Sequence, residues 1–249
     1  MAELTARWHR ALAEIPEAQW HALVAAESLP FYSWSWLVGL ERSGSVAPRQ
    51  GWQPCHLGLW RGEQLIAVAP LYLKGHSYGE FVFDQSFAQL AAQLGQRYYP
   101  KLLGMSPVSP VLGYRFFIAP AEDAAALTEL MLQLIDNFCR EHEIFSCNFL
   151  YVDPAWQPLA EAAGCATWLN QQSLWSNQDY GDFTAYLQSF NANQRRNIKR
   201  ERKAVQAAGL QVTPVVGEAI SPELMRQMHR FYEQHCARWG PWGSKYLTE

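Results

Sequence analysis

The chain has 249 residues, with 20 Lys and Arg against 23 Asp and Glu, a formal charge of −3 and 49% hydrophobic residues. That composition excludes disorder and fits a folded protein of one large domain or two small ones. No apolar run reaches membrane-spanning length and MAELTARWHR has no signal-peptide core, so no membrane span and a cytoplasmic location are expected.

The first elements are expected to be helical: residues 16–26, opened by Pro16, and 34–42, ended by the Ser-Gly-Ser turn. HLGLW (56–60) and QLIAVAPLYLK (64–74) flank the short polar connection Arg61, Gly62 and Glu63, which predicts a β-hairpin. EFVFD (80–84) alternates, so a strand there would set Glu80, Val82 and Asp84 on one face.

The middle of the chain alternates between strand and helix patterns. Strands are predicted at 114–119, 144–152 and within 165–176, with helices over 123–141 and from Pro154 to Gly164. The pattern predicts an α/β fold with a mixed sheet. Cys139 and His142 have C-x-x-H spacing, but they close an amphipathic helix and no second ligand pair follows, so no metal site is expected. The five scattered cysteines are expected to be reduced thiols.

Beyond Asp182 the pattern turns helical: 183–190, 193–208 and 222–238, with strand-like LQVTPVV at 210–216. Charge changes with it. Residues 1–190 hold 10 Lys and Arg against 18 Asp and Glu; residues 191–249 hold 10 against 5. At ~100° per residue, Arg195, Arg196, Lys199, Arg200, Arg202 and Lys203 fall within an arc of about 160° on one helix. Like charges four residues apart repel, and an anionic partner would relieve them. The open readings of that partner are a phosphorylated precursor, tRNA, or the chain's own acidic region.

No phosphate-binding loop, nucleophile elbow, zinc-protease helix or dinucleotide fingerprint is present. Acyl transfer to an amine would need a base and oxyanion donors. His76, Glu80 and Asp84 are the candidates for the base. Tyr98, Tyr99 and Lys101 of RYYPKL (97–102) offer a platform for a sugar–peptide substrate, and Arg115, closing SPVSPVLGYR (106–115), is a further substrate-binding candidate. Arg195, Arg196, Lys199 and Arg200 are candidates on the basic helix.

The order GW-P-H-L, PLYLKGHSYGEFVFD, YYPKL, SPVLGYR, NQRRNIKRERK and AAGLQV is similar to the FemAB-like family, N-acyltransferases of peptidoglycan biosynthesis grouped with the GNAT superfamily. The likeness runs from about Pro30 to Glu249 and is most specific at 70–84 and 97–102. It implies a first GNAT-like domain over 1–176, then a basic helical connector and the start of a second such domain over 177–249. Family members continue past the YLT stretch, so the resemblance implies that this chain is the acceptor-binding part of a longer protein, with apolar side chains such as Phe231, Trp239, Trp242, Tyr246 and Leu247 left uncovered. It implies acyl-CoA or aminoacyl-tRNA as donor and a nucleotide-linked cell-wall precursor or another small amine as acceptor. The strand-to-helix connection IAPAED (118–123) carries two carboxylates and no glycine where such a fold cradles CoA phosphates. No cofactor is therefore expected on this chain. The rival reading is a non-catalytic binding module whose basic helix holds nucleic acid or an anionic glycan; an inactive stable fragment is a third.

Overall fold

The computed structural model describes residues 3–24, 29–240 and 243–249. It contains two compact units, residues 1–167 with 231–249, and residues 168–230.

The first unit begins with an edge strand, β1 (Leu4–His9), followed by α1 (Glu17–Leu23) and α2 (Trp34–Ser43). Pro16 sits at the α1 N-cap, and the Ser33 hydroxyl accepts the Trp36 N–H at the start of α2. Ala25 and Ala26, where the first helix was expected to end, lie outside the described residues. Next come β2 (Trp52–Pro54), β3 (His56–Arg61), β4 (Gln64–Ala69), β5 (Tyr72–Lys74), α3 (Gln85–Gln93) and β6 (Lys101–Gly104). The unit continues through β7 (Phe117–Ile118), α4 (Ala124–Glu141), β8 (Cys147–Phe149) and α5 (Gln157–Ala162).

The architecture is mixed α/β, but the strands do not make one sheet. They form two four-stranded sheets, β1-β3-β4-β7 and β2-β5-β6-β8. The first is antiparallel throughout; in the second, β6 and β8 run parallel. The predicted hairpin passes through both. Its arms pair from Arg61↔Gln64 to Leu57↔Ala69, then again from Pro54↔Tyr72 to Trp52↔Lys74. Between these stretches Cys55 N donates to Leu71 O (2.8 Å), while Leu71 N donates to the ring Nδ1 of His56 (3.1 Å). A side chain has replaced a backbone acceptor, and the hairpin bends there. The other ring nitrogen of His56 lies 3.0 Å from Glu41 on α2, and the same carboxylate accepts Leu12 N (2.8 Å).

In β3 and β4 five consecutive residues each are buried, whereas the second sheet divides its two faces between two cores. Trp20 of α1, Leu37 of α2 and Met131 and Ile135 of α4 join Leu57, Ile66, Val68 and Phe117 in the larger apolar core, which also takes Leu102 from the second sheet. The opposite face of that sheet puts Trp52, Tyr72 and Leu103 in a smaller core with Leu40, Val46 and Met105.

Several expected strands are shorter or absent. Of 114–119 only Phe117–Ile118 is strand, with an isolated bridge from Tyr114 to Val152, and of 144–152 only Cys147–Phe149. Residues 80–84 are not a strand: Phe81 has φ +58°, which turns the chain. Residues 165–176 and 210–216 are chain without strand pairing.

The second unit carries α6 (Phe183–Gln188), α7 (Ala192–Ala207) and the first half of α8 (Pro222–Arg238), whose last residues belong to the first unit. The Asn191 and Gln194 side chains form a reciprocal capping box at the start of α7. Phe231, Trp239 and Leu247 are exposed and Tyr246 half-buried; Trp242 lies outside the described residues. No helix among the described residues is long and apolar enough to cross a membrane.

Candidate functional site

The second sheet aligns three large side chains in one row. Trp52 on β2 stands opposite Lys74 on β5, and Lys74 opposite Lys101 on β6. Both lysines are buried, at 0% and 1% exposure. The segment between β5 and α3 turns at Gly79 (φ +81°) and at Phe81 and brings Glu80 and Asp84 onto Lys101. The φ of Gly79 favours glycine, and a Cβ there would also sit tightly, 3.2 Å from Val108 and 3.3 Å from Trp52.

Lys101 uses all three of its donors: Glu80 Oε2 at 2.6 Å, Asp84 Oδ2 at 2.5 Å and Ser77 Oγ at 2.9 Å. The Ser77 hydroxyl lies 2.7 Å from that of Tyr99, and the Tyr98 hydroxyl donates to Asp84 (2.7 Å). The Tyr151 hydroxyl donates to the Glu80 carbonyl (3.0 Å), from a residue itself at φ +54°. A run of polar contacts thus leads from the half-buried Tyr99 to two fully buried carboxylates. Glu80 Oε1 and Asp84 Oδ1 have no partner among the described residues.

The two carboxyls are driven apart. Burial raises the pKa of Glu80 above the usual carboxylate range despite Lys101 and Lys74. Burial also pushes on Asp84, but the bonds from Lys101, Tyr98 and Ser77 outweigh it and hold that group below its usual range. Lys74 donates to Tyr78 O (3.0 Å), and its ammonium lies 3.5 Å from the centre of the Trp52 ring. Burial brings its pKa down to about 7, opposed by Glu80 and assisted by Lys101. His76 is also lowered, by burial and then by Lys74. Its Nδ1 accepts the Tyr78 N–H, so the neutral ring carries its proton on Nε2 and presents a donor.

Of the residues singled out in the sequence, Glu80, Asp84, Tyr98, Tyr99 and Lys101 meet in this cluster, with Lys101 beneath the tyrosines rather than on a surface. Arg115 is elsewhere, paired with Asp153 at 2.9 Å. On α7, Arg195 donates to Phe190 O and Arg202 lies over the Phe183 ring at 4.2 Å. Arg196, Lys199, Arg200 and Lys203 are exposed, and Arg196 donates to Asn193 (3.0 Å). Sequence reasoning missed Lys74, Trp52 and Tyr151. A lysine inside the apolar run LIAVAPLYLK was the available signal, since a buried lysine demands a partner.

Beside the cluster, a cavity of about 250 Å³ lies between α2, the 106–111 loop and the C-terminal residues. A second, of about 430 Å³, holds Cys139, Cys147 and Cys165. Burial pushes the Cys139 thiol up to about 11 and raises the other two, so all three stay protonated near neutrality. No group of three or more His, Cys, Asp or Glu side chains is placed to hold a metal among the described residues.

The FemAB_like family model, described as peptidoglycan biosynthesis/recognition, matches residues 11–249. No curated protein and no solved structure matches the chain.

Proposed function

Because the chain belongs to the FemAB-like family of peptidoglycan biosynthesis/recognition proteins, we propose that it serves N-acyl transfer, in which an acyl or aminoacyl group passes to an amine of a cell-wall precursor or peptide. The observation that carries this reading is the run from Tyr99 through Ser77 and Lys101 to Glu80. An amine attacking an acyl carbonyl forms the N–C bond directly and must shed a proton as the donor's leaving group departs. The Tyr99 hydroxyl can accept from that amine; its own proton passes to Ser77 and that of Ser77 to Lys101, as Lys101 gives one to Glu80, whose raised pKa makes it the better proton acceptor of the two carboxyls. Asp84, held ionised, fixes Lys101 and Tyr98.

Two further observations support direct attack, with any donor phosphate held away from the α4 N-terminus. The cavity thiols remain protonated, which disfavours an acyl-enzyme on cysteine. The first-turn N–H groups of α4, where a CoA phosphate would sit, are taken by Asp123, whose Oδ1 accepts Ala125 N and Ala126 N at 3.0 Å. Acyl-CoA and aminoacyl-tRNA remain the two donor classes of this reading, and a nucleotide-linked precursor the acceptor.

The test is mass spectrometry of a nucleotide-linked muropeptide incubated with the protein and each donor. The reading expects an acyl adduct on the acceptor amine, reduced at least tenfold by Glu80→Gln and by Tyr99→Phe. Folded protein that yields no adduct with either donor would overturn it.

A second reading, a binding module for nucleic acid or an anionic glycan, is favoured by α7. No ion pair among the described residues involves Arg196, Lys199, Arg200 or Lys203, although all four are exposed.

A further inference from the structure

The 250 Å³ cavity is lined by Trp36, Val108, Val111, Tyr232, Tyr246 and Leu247 among others, and no lining residue is charged. A phosphate or a sugar placed there would lose its water and find few polar partners, since the Ser109 hydroxyl already donates to Pro107 O. A hydrocarbon group needs none. The volume exceeds the roughly 150 Å³ of an engineered apolar cavity that takes benzene.

The walls are fixed by hydrogen bonds within their own segments. Val108 has φ +52°, a conformation that β-branched residues rarely adopt. Its loop is held by the Ser106 hydroxyl donating to Phe31 O (2.8 Å) and the Ser109 hydroxyl donating to Pro107 O (3.0 Å). On the other side, Tyr246 N and Leu247 N both donate to the Tyr232 hydroxyl, at 2.5 and 3.1 Å. Strained backbone persists where its surroundings over-determine it, and it gathers at ligand sites. Two of the lining residues, Val108 and Tyr246, also neighbour the loop that carries Glu80. Gly79 is wedged against Val108 and Tyr246, and the Phe81 ring meets the Tyr246 ring at 5.5 Å.

The geometry points to this cavity as the binding site for the hydrocarbon tail of an acyl group, seated next to the loop that carries Glu80. This inference rests on the acyl-transfer reading for the identity of its occupant. Its walls limit how long a tail can be accommodated, so the cavity acts as a chain-length gauge.

Calorimetric titration of the protein with neutral N-acyl glycinamides from acetyl to decanoyl tests it. Affinity should rise about fourfold with each buried methylene and then level off once the cavity is full. Val111→Trp should abolish the rise, and Leu247→Ala should move the plateau to longer chains. Affinity independent of chain length, or a rise unchanged in both variants, would overturn the proposal. Transfer assays separate this from the broader reading. Chain-length-dependent binding without acyl transfer leaves the cavity standing and removes the enzyme; transfer indifferent to both chain length and Val111→Trp does the reverse.

Discussion

Lys74 and Lys101 stand directly opposite one another on adjacent strands, both out of contact with water. Two like charges so placed repel, and only Lys101 has carboxylates at hydrogen-bond distance. Lys74 has a carbonyl and an indole face, which suit a lysine that gives up its proton near pH 7.

Stability should therefore depend on pH through Lys74. The unfolded chain keeps this proton to about pH 10.4, whereas the folded protein releases it near 7. Above pH 7 the unfolded state binds more protons, so this group makes folding more favourable as pH rises from about 7 towards 10. Urea unfolding of wild type and Lys74→Met at pH 6.5, 7.5 and 8.5 checks it. The stability difference between them should shift in favour of wild type with each step up.

Removing Lys101 should be far more damaging. Lys101→Met leaves Glu80 and Asp84 buried without their cation, an expected loss of about 3–5 kcal/mol in urea unfolding. Asp84 contributes stability that is present above its unfolded pKa and lost as pH falls through its depressed folded value. In the variant both carboxyls take up protons more readily. The gap between wild type and variant should thus be narrower at pH 4.5 than at pH 8.

Gly104 ends β6 beneath the buried Tyr114 ring. A methyl there would overlap that ring and come within 2.7 Å of Phe149. Tyr114 is stacked on Phe149 and its hydroxyl donates to Pro70 O, so it has nowhere to go. Gly104→Ala should cost about 1–3 kcal/mol in thermal or urea unfolding. Tyr114→Leu in the same chain should recover part of it, giving a favourable coupling.

The basic helix makes a separate prediction. If α7 holds tRNA, the log–log salt dependence of binding should have a slope of several units. Arg196→Ala with Arg200→Ala should flatten it by about 1.4–1.8, from ~0.7–0.9 per phosphate. Urea midpoints should stay within about 0.5 kcal/mol of wild type, since both side chains are exposed. Fluorescence anisotropy at 50 to 300 mM salt reads the slope; undiminished binding by the double variant would exclude the helix as the contact.

The elements legible in the sequence were those whose signal is local. Pro16, Ser33 and Asp123 mark three helix starts, and Gly62 lies at the turn of the 56–74 hairpin. What escaped depends on partners far along the chain. β1 is a mostly exposed strand that exists through its pairing with β3, and β6 hides behind a lysine whose counter-charges lie some twenty residues earlier. Residues 165–176 and 210–216 have strand composition without strand pairing, since composition supplies the tendency and only a neighbouring strand supplies the ladder. The meeting of Glu80 and Asp84 was expected from strand alternation. It comes instead from the turn at Phe81, which no periodicity foretells.

The bend at His56 has a consequence for how this unit comes apart. Its ring fastens the hairpin corner to α2 and, through Glu41, to the segment before α1. Both sheets are built on arms of the same hairpin, so there is no seam along which one could open while the other stayed closed. Amides of Leu103, beside the lysines, and of Val68, in the other sheet, should then exchange with solvent by a shared event. The buried charges meet water when the whole unit does.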